Sequence, residues 1–111
     1  MRTTLFASLA ILCVTSAVSA PPAARIYRGE YFYNFENAYF TLSGSKECWA
    51  LKGDMSKAEL PSPDKSPPWG TSNVVLKGTL GPAGRFGNLG ACTHVFTVLE
   101  VMDVSNMRQR K

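Results

Sequence analysis

From Tyr27 to Phe35, every second residue is aromatic or glycine: Tyr27, Gly29, Tyr31, Tyr33 and Phe35 share one parity. A helix would scatter these side chains around its axis, whereas a strand sends them to one face. Residues 25 to 35 therefore read as a strand rich in the aromatic residues that suit a pleated, half-buried surface. A polypeptide that begins this way has to find further strands to cover that face, because a lone strand or hairpin is marginal in water.

Those strands follow. Residues 38 to 42, Ala-Tyr-Phe-Thr-Leu, form a second one, and Ser43-Gly44-Ser45-Lys46 is turn material. Cys48 to Leu51 makes a short third, stopped at Gly53. Residues 54 to 73 differ in kind, with Pro61, Pro63, Pro67 and Pro68 among serines and charges. Ser56 and Glu59 have capping-box spacing for one helical turn, which the prolines keep short. The segment reads as an irregular surface excursion, with Trp69 as the anchor that packs it back.

Beyond it, residues 74 to 80 alternate, with Val74, Leu76 and Leu80 on one face and Val75, Lys77 and Thr79 on the other. Residues 93 to 103 are β-branched and apolar on both faces, which suits a central strand. Three strands, an excursion with at most one helical turn, and two strands is the element order of a small five-stranded OB-like barrel. Gly29 and Gly78 fall in mid-strand, where such a barrel coils sharply.

The start of the chain carries an address. Met1-Arg2-Thr3-Thr4 precedes an apolar run from Leu5 to Val14 and small residues from Thr15 to Ala20. This is the pattern of a secretory signal covering residues 1–20. A transmembrane helix needs roughly 18 or more apolar residues, and Thr15, Ser16 and Ser19 break the run too early. Val18-Ser19-Ala20 offers a cleavage site, although Pro21 beside it disfavours an extended substrate, so cleavage after Ala17 is a rival. The expectation is a periplasmic or secreted protein of about 90 residues, without stable membrane insertion.

Of the 3 cysteines, Cys13 leaves with the signal, so Cys48 and Cys92 remain as a pair for a disulfide outside the cytosol. Such a bond would close a loop of about 45 residues, to which the loop-entropy model assigns roughly 4 kcal/mol. The formal charge is +4, but Arg2 belongs to the signal, and Arg108, Arg110 and Lys111 form a short basic tail over residues 108–111. Positive and negative residues balance in the body, 21–107, so no nucleic acid is expected as a partner. The tail alone is too small for stable attachment to anionic lipid.

One resemblance covers residues 28 to 49. Arg28-Gly29-Glu30-Tyr31-Phe32-Tyr33, Ala38-Tyr39-Phe40-Thr41, Gly44 and Cys48-Trp49 resemble the opening hairpin of the OB-like domain of bacterial envelope-stress lipoproteins linked to copper homeostasis. Gly29-x-Tyr31, Phe35-Glu36 and Trp49 are also similar to a pattern in small exported bacterial proteins. The resemblance implies a barrel of the bacterial envelope. The lipoproteins' acylated N-terminal cysteine and Cys-x-x-Cys are missing here, so their anchoring and thiol-based metal sensing do not carry over.

Candidate sites are few. Gly78, Gly81, Gly84, Gly87 and Gly90 recur at every third residue, yet the run is too short and proline-poor for a collagen helix and lacks the Gly-Lys-Ser/Thr of a phosphate loop. It reads either as a plain connector or as a binding tip presenting Arg85 and Phe86. Tyr31, Tyr33, Tyr39 and Trp49 could form a stacking platform beside it, or else fill the core. A metal site is not expected, because a disulfide takes both thiols from the set Cys48, Cys92 and His94. No catalytic residues are assigned, and no cofactor is expected: one histidine and scattered carboxylates form no recognisable set. The expected role is a non-enzymatic binding or interaction module whose partner is an envelope protein. The alternative is a barrel that binds a small molecule, glycan or metal through the loop between strands 4 and 5.

Overall fold

A computed structural model describes residues 23–62 and 67–109. The expected signal and its cleavage site lie outside these residues, as do Arg110 and Lys111. The described chain is all-β: β1 (Arg25–Tyr33), β2 (Ala38–Leu42), β3 (Cys48–Lys52), β4 (Gly70–Leu80) and β5 (His94–Gln109), with 3₁₀ turns at Ser56–Ala58 and Asn88–Gly90. The strands form one sheet that closes into a ring in the order β1-β2-β3-β5-β4, with β4 returning to β1. All pairs are antiparallel except β3 with β5, where Trp49 stands beside His94.

Closure puts one face of every strand inside. Tyr31 and Tyr33 of β1, Phe40 of β2, Trp49 of β3, Leu76 of β4 and Phe96 of β5 are all buried. The rings pack against one another: Trp49 is stacked on Phe96 at 5.5 Å, and Tyr27 meets both edge-on at 5.0 and 5.4 Å. Burying a large apolar side chain contributes about 1.5–3 kcal/mol, so this aromatic stack supplies much of what so small a domain has. The glycines of β1 and β4 make room for it, because Phe40 lies across Gly29 and Phe96 across Gly78.

β4 and β5 are longer than the sequence pattern indicates. Residues 70 to 73 look like turn material, yet Gly70 pairs with Tyr33 and Gln109, and Asn73 with Glu30 and Ser105. Long-range pairing on both sides overrides weak local propensity. The basic tail is likewise shorter than expected. Arg108 belongs to β5, where its guanidinium donates to the Thr71 hydroxyl at 3.1 Å and pairs with Glu30 at 3.2 Å. β5 follows the curvature of the ring by inserting extra residues at three bulges; Leu99 and Met102 are the unpaired ones at two of them.

The excursion after β3 caps one end of the ring. Its single turn forms where expected, but no capping box closes it: Ser56 N–H donates to Asp54 Oδ1 at 2.9 Å, and Glu59 instead accepts the Tyr31 hydroxyl at 2.5 Å. Leu60 N–H donates to the Tyr33 hydroxyl at 2.9 Å, and the Ser72 hydroxyl donates to Ala58 O at 3.1 Å. Met55 and Ala58 are the buried anchors. Trp69, the anchor expected from the sequence, is 44% exposed, because the backbone at Gly70 is already fixed by pairing on both sides.

A disulfide joins Cys48 to Cys92, with their Cα atoms 4.8 Å apart. It ties the start of β3 to the loop between β4 and β5. Among the described residues, no helix is long and apolar enough to cross a membrane.

Candidate functional site

Two connections meet on the outside of the ring. The first is the β1–β2 turn, residues 34 to 37, closed by a hydrogen bond from Asn34 N–H to Asn37 O at 2.9 Å. Asn34 Oδ1 also accepts from Glu36 N–H at 2.8 Å and Asn37 N–H at 2.7 Å. This is the side-chain turn that asparagine makes with the residues following it. The turn is thereby fixed, and it leaves Phe35 at its apex, 72% exposed.

The second is the loop between β4 and β5, and it is not a slack connector. Gly81 N–H donates to Val95 O, and Gly84 N–H to Thr93 O; Phe86 and Cys92 exchange two backbone bonds of 2.8 and 2.9 Å. The disulfide and the bond from Thr93 N–H to Cys48 O pin the same segment to β3. Glu47 holds the base of the loop, accepting from the Thr93 hydroxyl at 2.6 Å and the Trp49 indole at 3.0 Å. These two bonds, with a smaller contribution from the His94 ring beside it, hold the Glu47 carboxyl below the usual carboxylate range. His94 Nδ1 lies 2.7 Å from Gly81 O, a carbonyl that can only accept, so Nδ1 carries the proton of that bond.

At the tip of this pinned loop the backbone turns through positive φ at Gly87 (78°), Leu89 (61°) and Gly90 (66°). Glycine adopts such angles freely, but for leucine they are strained. Leu89 nevertheless sits there and is 98% exposed. A cleft of about 490 Å³ separates the two connections, lined by Glu36, Asn37 and Ala38 on one side and by Gly87 and Asn88 on the other. Phe35 and Leu89 are the chain neighbours of its lining residues Glu36 and Asn88.

The residues proposed from the sequence are distributed as follows. Tyr31, Tyr33 and Trp49 are in the core, so the aromatic face they share points into the ring and offers no stacking platform to solvent. Tyr39 is half-buried on the outer face, stacked on Phe32 with centroids 4.9 Å apart. Arg85 is exposed and lies against Gly90; Phe86 is half-buried and lies against Gly84. Arg85 therefore stands on the loop that lines the cleft, and the four strand aromatics lie elsewhere. Phe35 and Leu89, absent from the candidates, stand in their place. Their sequence signals were the flanking turn formers, Asn34 and Asn37 around the first and Gly87 and Gly90 around the second.

Among the described residues, no group of three or more His, Cys, Asp or Glu could hold a metal ion. No protein-family model, no curated protein and no solved structure matches the chain.

Proposed function

We propose that this chain is an exported, non-enzymatic interaction module of the bacterial envelope, built on an OB-like barrel, and that it meets its partner on the surface where the 34–37 turn and the 87–90 tip line one cleft. One observation carries the reading: Leu89 is held in a strained conformation, fully in solvent, on a loop fastened by a disulfide and a ladder of backbone bonds. Strain and apolar exposure both disfavour that arrangement in the isolated molecule, and both are offset when a partner covers the side chain. The ring order with one parallel pair, β3 beside β5, supports the OB-like assignment. The disulfide and the apolar N-terminal run support export.

A photo-crosslinking residue at position 89, compared in the producing cell with one at Lys77, an exposed position of β4 paired with Ile26 and Glu100, tests the reading. A discrete adduct from position 89 and none from position 77 is the expected result. Equal labelling from both positions defeats it. The polar lining of the cleft, Glu36, Asn37 and Asn88, favours a second reading, recognition of a small polar ligand with help from Arg85 of the same loop. That reading requires a ligand-induced rise in melting temperature that Arg85→Ala removes.

A further inference from the structure

We infer that the outer face of the sheet carries a binding site for a small zwitterion with a free ammonium and a free carboxylate, an amino acid or a dipeptide. The site is separate from the cleft between the 34–37 turn and the 87–90 tip, and the inference does not depend on the contact surface proposed above.

Strand register places its walls. Arg28 of β1 pairs with Val75 of β4, and Val75 pairs with Asp103 of β5. Residues directly opposite one another share a face of the sheet. Val74 and Leu76 are buried inside the ring, so Val75 between them faces outward, and Arg28 and Asp103 face outward with it. Two strand spacings set the Cα atoms of Arg28 and Asp103 roughly 9–10 Å apart. The neighbouring row on this face is polar, because Glu30 pairs with Asn73 and Asn73 with Ser105. The Ser43-Gly44-Ser45 turn borders the Arg28 side, where Ser43 N–H donates to Arg28 O at 2.9 Å. Together these residues line one cavity of about 590 Å³, which is within the size range of small-molecule sites.

The charges of the cavity select the ligand. Glu30 is already engaged: Arg108 donates to it at 3.2 Å and is itself fixed by bonds to the Thr71 hydroxyl and to Asn106 O, both at 3.1 Å. Arg28 and Asp103 are exposed and have no ion-pair partner among the described residues. One available cation and one available anion thus stand on opposite walls, with half-buried Val75 as the floor between them. A carboxylate meets a guanidinium through two parallel hydrogen bonds, and a primary ammonium brings donors to the Asp103 carboxylate. The Asn73 amide can donate to and accept from a peptide group lying between the two. Other small polar ligands match less well. Asp103 opposes a phosphate ester or a dicarboxylate, Arg28 opposes a polyamine, and a neutral sugar leaves both charges unanswered. A quaternary ammonium or a nucleobase calls for an aromatic face, and no aromatic residue is among the described residues lining this cavity.

Alanine and alanyl-alanine, titrated into the isotope-labelled full chain produced through its own export route, test the inference by nuclear magnetic resonance. The expected result is a saturable shift of the Asn73, Val75 and Ser105 amides, with a Kd below about 1 mM for at least one of the two. Acetyl-alanyl-alanine lacks the ammonium and alanyl-alanine amide lacks the carboxylate, and each is expected to bind about tenfold or more weakly than alanyl-alanine. Arg28→Gln and Asp103→Asn are expected to weaken the zwitterion by a similar factor and, as exposed positions, to leave the melting temperature unchanged. Cross-comparison then assigns the walls. Arg28→Gln should cause no further loss for the amide, and Asp103→Asn none for the acetylated dipeptide. A Kd above about 1 mM for both zwitterions overturns the inference, as does equal binding of the blocked analogues. Loss of binding in Arg85→Ala but not in Arg28→Gln overturns it too, because the ligand would then sit in the cleft beside the 87–90 tip. Crosslinking from position 89 reports on the contact surface alone, so either reading can fail while the other stands.

Discussion

The ring of Phe40 lies across Gly29 of the neighbouring strand, its Cζ 2.6 Å from the point where a Cβ on that glycine would stand. The same Cβ would collide with the Thr41 carbonyl oxygen, and a Cβ on Gly78 would meet Phe96 Cζ at 2.7 Å and the Thr97 carbonyl. Both glycines are therefore required for space, not for an unusual backbone angle. Gly29→Ala and Gly78→Ala are each expected to destabilise the fold by about 1–3 kcal/mol, the usual range for overpacking. In a domain of this size each kcal/mol lowers the melting temperature by roughly 4–8 °C. Gly44, with φ of 81° and nothing within 4 Å of a built Cβ, provides a comparison in which only conformation is at stake. If thermal melts rank Gly44→Ala as the most damaging of the three, the ring-over-glycine account is wrong.

Much of this architecture is legible in the sequence, and the parts that are not have physical causes. Alternating aromatics expose β1 as a strand, but alternation cannot tell which face turns inward, so Tyr31, Tyr33 and Trp49 read equally as platform or core until the ring closes. The first turn of β4 is hidden because Gly70-Thr71-Ser72-Asn73 is strand only by virtue of partners about 40 residues away on either side. The disulfide follows from cysteine arithmetic. Leu89 does not stand out, since a leucine in a glycine-rich loop carries no mark of its φ or its exposure, and both become unfavourable together only in the folded chain.

That conjunction at Leu89 yields a stability–function prediction. Leu89→Gly removes a side chain that touches little and relieves a left-handed backbone that costs about 1 kcal/mol for a leucine. The variant is expected to be as stable as the parent or slightly more so, and to lose partner contact. Chemical denaturation beside the crosslinking assay measures both. A clear fall in denaturation midpoint would mean that Leu89 packs against the domain, which is incompatible with its role as a tip.

The Cys48–Cys92 bond closes a loop with a sequence separation of 44. Chain entropy assigns such a closure roughly 4 kcal/mol, an upper figure because unfolded chains retain structure. The double variant Cys48→Ser, Cys92→Ser is expected to melt well below the parent and to free the 84–92 segment before the ring opens, because without the disulfide the tie to β3 is reduced to the bonds of Thr93 with Glu47 and Cys48 O. Native-state amide exchange resolves the order. Uniform loss of protection across all five strands, with no earlier release of residues 84 to 92, would contradict it.

Tyr31 and Glu47, displaced in opposite directions, predict opposite pH limbs. Burial, and after it the hydrogen bond to the Glu59 carboxylate, push the Tyr31 hydroxyl above the ordinary tyrosine range. A raised pKa means that the folded state keeps a proton the unfolded state releases. The stabilisation is therefore complete below the unfolded value of about 10 and is lost as the pH rises beyond it. Glu47 is displaced the other way, first by the Thr93 hydroxyl and then by the Trp49 indole. Its contribution is present above the unfolded carboxylate value of about 4.3 and disappears as the pH falls through its lower folded value. Melting temperature is thus expected to hold steady between these limits and to decline outside them. The two declines carry different local signatures. On the alkaline side, the ultraviolet absorbance of tyrosinate from Tyr31 should appear only with unfolding, and Tyr31→Phe should lack it. On the acid side, the Trp49 indole N–H resonance should shift before global unfolding, as its bond to Glu47 weakens, and Glu47→Gln should flatten that early shift. A Tyr31 hydroxyl that ionises reversibly in the folded protein near pH 10 would show that the Tyr31–Glu59 contact does not hold the excursion onto the ring.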